Sequence, residues 1–218
     1  MTAQQLSAWN RHQADDYYRL GRANAAAGQF IQAAANYSHA IEIDPYYQEA
    51  YSERGQTFAH LQEYEKAVAD YKKEIEVRPE SSSGYNNLGS LYANGPSTLR
   101  DPLKALPLGL RAVELAQGCC DELRTLGMVY YRLGQLEEAL EILEKTAKAS
   151  RAGATAYDFF FLAMTYSRLG QSAKAEECYA KAMDSWRNRP VNFSRFYERS
   201  MQRYSAEAEE ILGKPKSQ

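Results

Sequence analysis

The feature that most restricts what this 218-residue chain can become is a period of 34 residues. Tyr17 and Tyr51, Gly21 and Gly55, Ala33 and Ala67, and Pro45 and Pro79 all recur at that one offset. Within a unit, apolar or small residues fall at helical spacings on both sides of a glycine turn. In the last unit they are Phe159, Leu162, Ala163 and Tyr166, then, beyond Leu169-Gly170-Gln171, Ala175, Tyr179 and Ala182. That spacing predicts two short amphipathic helices folded back on each other. A hairpin this small cannot bury its own apolar face, so it must be one member of a stack.

Five units can be traced, over 14–47, 48–81, 82–119, 120–155 and 156–189. Small residues such as Gly21, Gly55, Ala33, Ala40 and Ala67 let two helix backbones approach closely, while large rings fill the remaining space. Pro45 and Pro79 end the second helices, which a proline cannot continue. The third unit departs from the others. Its turn, NGPSTLRDP over 94–102, is longer by about four residues; Asp101 and Pro102 read as an N-cap and first-turn proline, and Pro107 is expected to kink the helix that follows. Residues 190–212 carry a stripe of Phe193, Phe196, Tyr197, Met201, Tyr204, Ala208 and Ile211, expected to form a capping helix over the open end of the last unit. Residues 1–13 are a leader or a helix extension begun by a Thr2-x-x-Gln5 capping box, and 213–218 are expected to be disordered.

These units resemble the tetratricopeptide repeat (TPR), W-x2-L-G-x2-Y, then A-x3-F, then P, over residues 14–189. The resemblance implies an all-α fold, a right-handed α-solenoid of five helical hairpins, with the first helices lining its concave surface. A narrower likeness lies in YNNL (85–88), ANGP (93–96), LRDP (99–102), ALPL (105–108), RAVELA (111–116) and DFFFLAM (158–164). These strings are similar to the repeat tails of bacterial serine/threonine protein kinases, which implies a bacterial source and a recruiting role. The chain has no glycine-rich G-x-G-x-x-G strand, H-R-D loop or D-F-G, so kinase chemistry is not implied.

Enzymatic and cofactor chemistry find little support elsewhere. His12, His39 and His60 stand on separate predicted helices without metal-ligand spacing, and no glycine-rich phosphate cradle follows a strand. Cys119, Cys120 and Cys178 make an odd count with two adjacent, which favours reduced thiols over a disulfide framework. No cofactor and no catalytic residue is expected. A formal net charge of −2 supplies no global field for nucleic acid or an anionic membrane. Neither a spanning apolar run nor a secretory signal is evident, so the expected address is cytoplasmic.

The register of the resemblance implies a groove that grades from charged to aromatic. Asn86, Asn87, Arg124, Met128, Tyr131, Phe160, Phe161 and Met164 are the residues expected to hold a peptide or partner helix. Asparagine amides can bond a peptide backbone, Arg124 or Arg132 can meet an acidic group, and the rings and methionines supply apolar burial. The alternative is that Phe160 and Phe161 pack under the C-terminal helix, folded into the groove. A clamp for a chaperone's C-terminal carboxylate is not expected. Where such clamps need asparagine this chain places Glu53, between Tyr18 and Arg22 on one side and Ser83 and Asn87 on the other.

Arg195, Arg199 and Arg203, one turn apart, are either a solvated helix face or a docking site for an acidic partner or RNA. The function read from the sequence is thus a non-enzymatic protein-protein interaction module or scaffold. The alternatives are an adaptor working through the basic C-terminal helix and a self-associating structural subunit, and the sequence sets neither the partner nor the oligomeric state.

Overall fold

A computed structural model describes residues 3–117, 119–149, 154–188 and 195–214, apart from the side chains of 3–8, 195 and 196. Among the described residues there are eleven helices and no strand. The chain divides into two compact units, Met1–Leu88 and Gly89–Gln218.

The first unit holds α1 (Ala3–Ala26), α2 (Phe30–Ile43), α3 (Gln48–His60), α4 (Tyr64–Val77) and the start of α5 (Ser82–Asn94). Residues 3–13 belong to α1, while Thr2 lies outside the described residues. α1 pairs with α2 and α3 with α4, and α2 packs on α3. The small residues do what the spacing asks of them. A Cβ added to Gly21 would sit 2.5 Å from the Tyr37 ring, and one added to Gly55 would sit 2.7 Å from the Tyr71 ring. Ala33, Ala40 and Ala67 are completely buried beside them. Arg54 fastens the hairpin, donating to both carboxylate oxygens of Asp70 at 2.7 and 2.8 Å and to Ser38 at 2.9 Å.

The second unit continues α5 and adds α6 (Pro102–Leu115), α7 (Cys120–Leu133), α8 (Leu136–Ala149), α9 (Ala156–Arg168), α10 (Ser172–Arg187) and α11 (Arg195–Leu212). Asp101 caps α6, accepting from the Lys104 amide at 3.1 Å, with Pro102 opening the helix; α6 then runs on through Pro107. Helices α7 and α9 end at Gly134 and Gly170, both with φ near +75 to +79°. At each, the glycine amide and the next amide return to carbonyls of the last turn, the geometry of a glycine-terminated helix.

Helix α9 is buried nearly all round. Residues 160–166 are all shut off from water, because α10, α8 and α11 cover different sides of the helix and α7 touches it as well. A helix apolar on every side is one enclosed on every side. Met201, Tyr204 and Ala208 of α11 are buried, with Tyr197 and Ile211 partly so. Phe193 and the Phe196 side chain lie outside the described residues. Elsewhere in this unit the second helix of one hairpin packs on the first helix of the next, as α6 does on α7 and α8 on α9. Helix α11 differs in packing chiefly on α9, a first helix, and less on α10. Of the expected disordered tail, residues 215–218 lie outside the described residues; Lys214 is placed, with its ammonium 2.5 Å from Glu176.

Candidate partner-binding surfaces

Asn86 and Asn87 belong to the first unit. The Asn87 amide donates to Ser52 at 3.2 Å and lies 3.5 Å from Ser83, while Asn86 Oδ1 is buried without a donor. Ser52 and Ser83 are themselves 3.3 Å apart. This is a polar seam between α3 and the start of α5. Nearby, Glu53 is held above the ordinary carboxyl range by burial, against the pull of exposed Arg22.

The other six expected residues lie in the second unit. Arg124 is engaged from two sides: its Nε donates to Asp158 at 2.6 Å and its Nη1 to Asp121 at 2.5 Å. Asp158 also accepts from the Thr155 amide at 2.7 Å, closing the capping box that begins α9. The cation expected to meet a ligand therefore joins α7 to the head of α9.

Met128 and Tyr131 are nearly buried, and Phe160, Phe161 and Met164 are completely so. Tyr131 stands edge-on to Phe161, with centroids 5.5 Å apart, and Phe161 meets Tyr204 of α11 at 5.1 Å. Phe160 turns instead toward Tyr179 and Trp186 of α10. Phe160 is thus taken up inside its own hairpin, and Phe161 by α7 and α11. Of the two rings expected either to hold a ligand or to pack under the C-terminal helix, Phe161 lies against Tyr204 of that helix and Phe160 lies against α10.

Polar ties hold α11 there. Arg132 of α7 grips Glu207 with both terminal nitrogens, the Nη2 to Oε2 distance being 2.8 Å. Tyr179 donates to Glu209 at 2.8 Å. Spacing rules did not reveal these pairs, although Glu207 and Glu209 flank the apolar Tyr204-Ala208 stripe. Arg168 donates to the Tyr131 carbonyl at 3.3 Å, with its guanidinium 5.2 Å from that ring's centroid.

Of the arginine row, the Arg195 side chain lies outside the described residues and Arg199 is exposed. Arg203 is half-buried, folded over the Tyr204 ring with its Nη2 3.1 Å from that hydroxyl.

Among the described residues no group of three His, Cys, Asp or Glu side chains is placed to hold a metal ion. The three cysteines are free thiols, and burial pushes the Cys178 thiol up, away from the reactive thiolate. His60 stacks on Phe30 at 4.5 Å, and burial holds it below its ordinary value. No helix among the described residues is long and apolar enough to cross a membrane.

Two family profiles, both described as Tetratricopeptide repeat, match the chain, one over residues 122–188 and the other over 17–47 and 48–81. Together they cover more than half of it. Among curated proteins, none is significantly similar in sequence. Solved structures are similar in fold. YrrB, described as a TPR protein with an unusual peptide-binding site, shares 25% identity over 79% of this chain and 86% of its own, with a TM-score of 0.58. PilW, described as a widely conserved type IV pilus biogenesis factor, shares 18% identity over 92% and 86%, with a TM-score of 0.72. PilF of Pseudomonas aeruginosa shares 19% over 94% and 86%, with a TM-score of 0.67.

Proposed function

Because the chain belongs to the tetratricopeptide-repeat proteins, which generally mediate protein-protein interactions, we propose that it is a non-enzymatic interaction module whose C-terminal unit receives a partner helix or peptide. The partner lies across α7 and α9, on Met128, Tyr131, Phe161 and Met164, in the place α11 takes here. One observation carries the reading: α11 rests on α9 through an apolar stripe while Arg132 clamps its Glu207. A surface that accepts one amphipathic helix with an acidic side chain offers the same pockets and cation to another. Helix α11 is then an internal competitor, and the partner is an amphipathic segment carrying an aromatic ring and a carboxylate one turn apart. The peptide-binding site ascribed to YrrB and the likeness of residues 85–164 to kinase-attached recruiting tails support the same class of role. Three free thiols suit a reducing, cytoplasmic setting.

Affinity capture from the protein's own cell extract, read by mass spectrometry, tests this with three baits: wild type, Glu207→Lys, and Phe160→Ala with Phe161→Ala. Loosening α11 by Glu207→Lys is expected to increase capture of a specific partner, and removing both rings to abolish it. A partner retained equally by all three baits would overturn the groove reading.

A further inference from the structure

Three arginines are brought to one region of the C-terminal unit. Arg132 grips Glu207 from the end of α7, Arg203 lies one turn before Glu207 on α11, and Arg100, on the lengthened turn between α5 and α6, feels the charges of all three. The turn is fastened beside α7, where the Asn94 amide meets the Met128 sulfur at 3.3 Å, one turn before Arg132. The aromatic floor is shared. The Arg132 guanidinium lies 5.3 Å from the Phe161 centroid, Phe161 lies 5.1 Å from Tyr204, and the Arg203 guanidinium lies 5.0 Å from Tyr204.

The donors are under-used. Arg100 makes one long contact, Nη2 to the Gly95 carbonyl at 3.4 Å, and Arg203 one contact, to the Tyr204 hydroxyl. The Nε atoms of Arg100, Arg132 and Arg203 are all buried without an acceptor. Arg100 is held below its ordinary value by burial first, then by Arg132, with Glu207 opposing and Arg203 adding to the repulsion. Like charges that feel one another with donor atoms shut off from water are unfavourable unless an anion joins them.

We propose that Arg100, Arg132 and Arg203 form an oxyanion site, and that its ligand is a phosphate group, free or as a monoester. Glu207 neutralises one of the three cations, leaving a surplus of two. A phosphate monoester carries about −1.5 to −2 at neutral pH, whereas a carboxylate would leave one cation unmatched. The planar guanidinium fork suits phosphate oxygens, and the aromatic floor excludes water from one side. Half-buried Arg100 and Arg203 leave the approach open. Because Arg203 is on α11, a bound phosphate ties the loop, α7 and α11 together. Phosphate binding requires no partner protein, but the site shares Arg132 and α11 with the groove, so phosphate and a partner helix exclude one another there.

The test is titration of the full chain with inorganic phosphate, and separately with a capped phosphoserine peptide. Ionic strength is held constant with chloride, and acetate is the monovalent control. The arginine Nε–H resonances are followed by two-dimensional NMR. Saturable shifts at Arg100 and Arg203 with phosphate but not acetate are expected, with affinity falling about tenfold or more in Arg203→Gln and in Arg100→Gln and unchanged in Arg111→Gln. Circular dichroism verifies that each variant is folded, and either of the first two suffices. Tighter binding of the peptide identifies a phosphorylated side chain as the source; tighter binding of inorganic phosphate identifies the free ion. Shifts that do not saturate, or folded Arg100→Gln and Arg203→Gln variants that titrate like wild type, would overturn the site.

Discussion

Arg132 and Glu207, 75 positions apart in the chain, form a two-point ion pair that fixes α11 against α7. The arginine side chain is 8% exposed and the glutamate 24%. Burial costs both charges hydration, and the fork geometry offsets that cost only while both are present.

Arg132→Met is therefore expected to destabilise the protein by about 2 kcal/mol, leaving an unpaired carboxylate at a largely buried position. Amide exchange should quicken first over residues 197–212, since α11 is the element released. Adding Glu207→Leu should recover most of the loss, because it removes the orphaned charge. Urea unfolding of the two variants decides this, and a double variant no more stable than the single would contradict it.

The hairpins were legible in the sequence because their contacts are periodic. Gly55 against Tyr71 and Gly127 against Leu143 repeat one packing solution at one spacing, so the helices and their inner faces follow from the period. The placement of α11 was not legible in the same way, because it lies outside the period. Nothing in the spacing says whether Tyr204 seals the end of α10 or meets Phe161 on α9. Three consecutive phenylalanines were the available sign, since one face cannot accommodate Phe159, Phe160 and Phe161 together. The expected residue Arg124 looked free because its partner, Asp158, also serves as a helix cap one hairpin away. Arg100 is not legible from the period because it sits in the one turn where the repeat pattern lapses.

Gly55→Ala should cost about 1–3 kcal/mol. The added methyl would stand 2.7 Å from the Tyr71 ring and 3.3 Å from Asp70 Cβ, and Tyr71 is itself buried. Pairing it with Tyr71→Phe should recover little, since the clash is with ring carbons. A thermal melt within a degree of wild type would show that the ring can move aside.

Gln62→Gly should stabilise. Gln62 holds φ +65° at the hairpin position where Gly28, Gly134 and Gly170 hold +74, +79 and +75°. Its amide and the Glu63 amide make the same returns, to Ala59 and Phe58. A side chain in this left-handed region costs about 1–2 kcal/mol, partly offset by the greater freedom of an unfolded glycine, leaving a net gain of roughly 0.5 kcal/mol. An unchanged or lower melting midpoint would mean that the glutamine side chain contributes something the turn geometry does not reveal.

Glu74 makes the stability of the first unit depend on pH. Its side chain is fully buried, 3.3 Å from the Gln48 amide. Burial pushes its carboxyl above the ordinary value of 4.5, against the lowering influence of Ser83, Gln48 and Ser52, with Glu49 adding to the rise. A carboxyl raised in the folded state contributes most when protonated, so its contribution is complete below 4.5 and is lost as pH rises through the folded value. Glu74→Gln keeps an oxygen for Gln48 and never ionises. It should match wild type in acid and exceed it at neutral pH by on the order of 1 kcal/mol. Guanidinium unfolding of both proteins from pH 4 to 8 measures the gap. A gap that stays constant, or that closes as pH rises, would mean the carboxylate is better solvated by its neighbours than its burial implies.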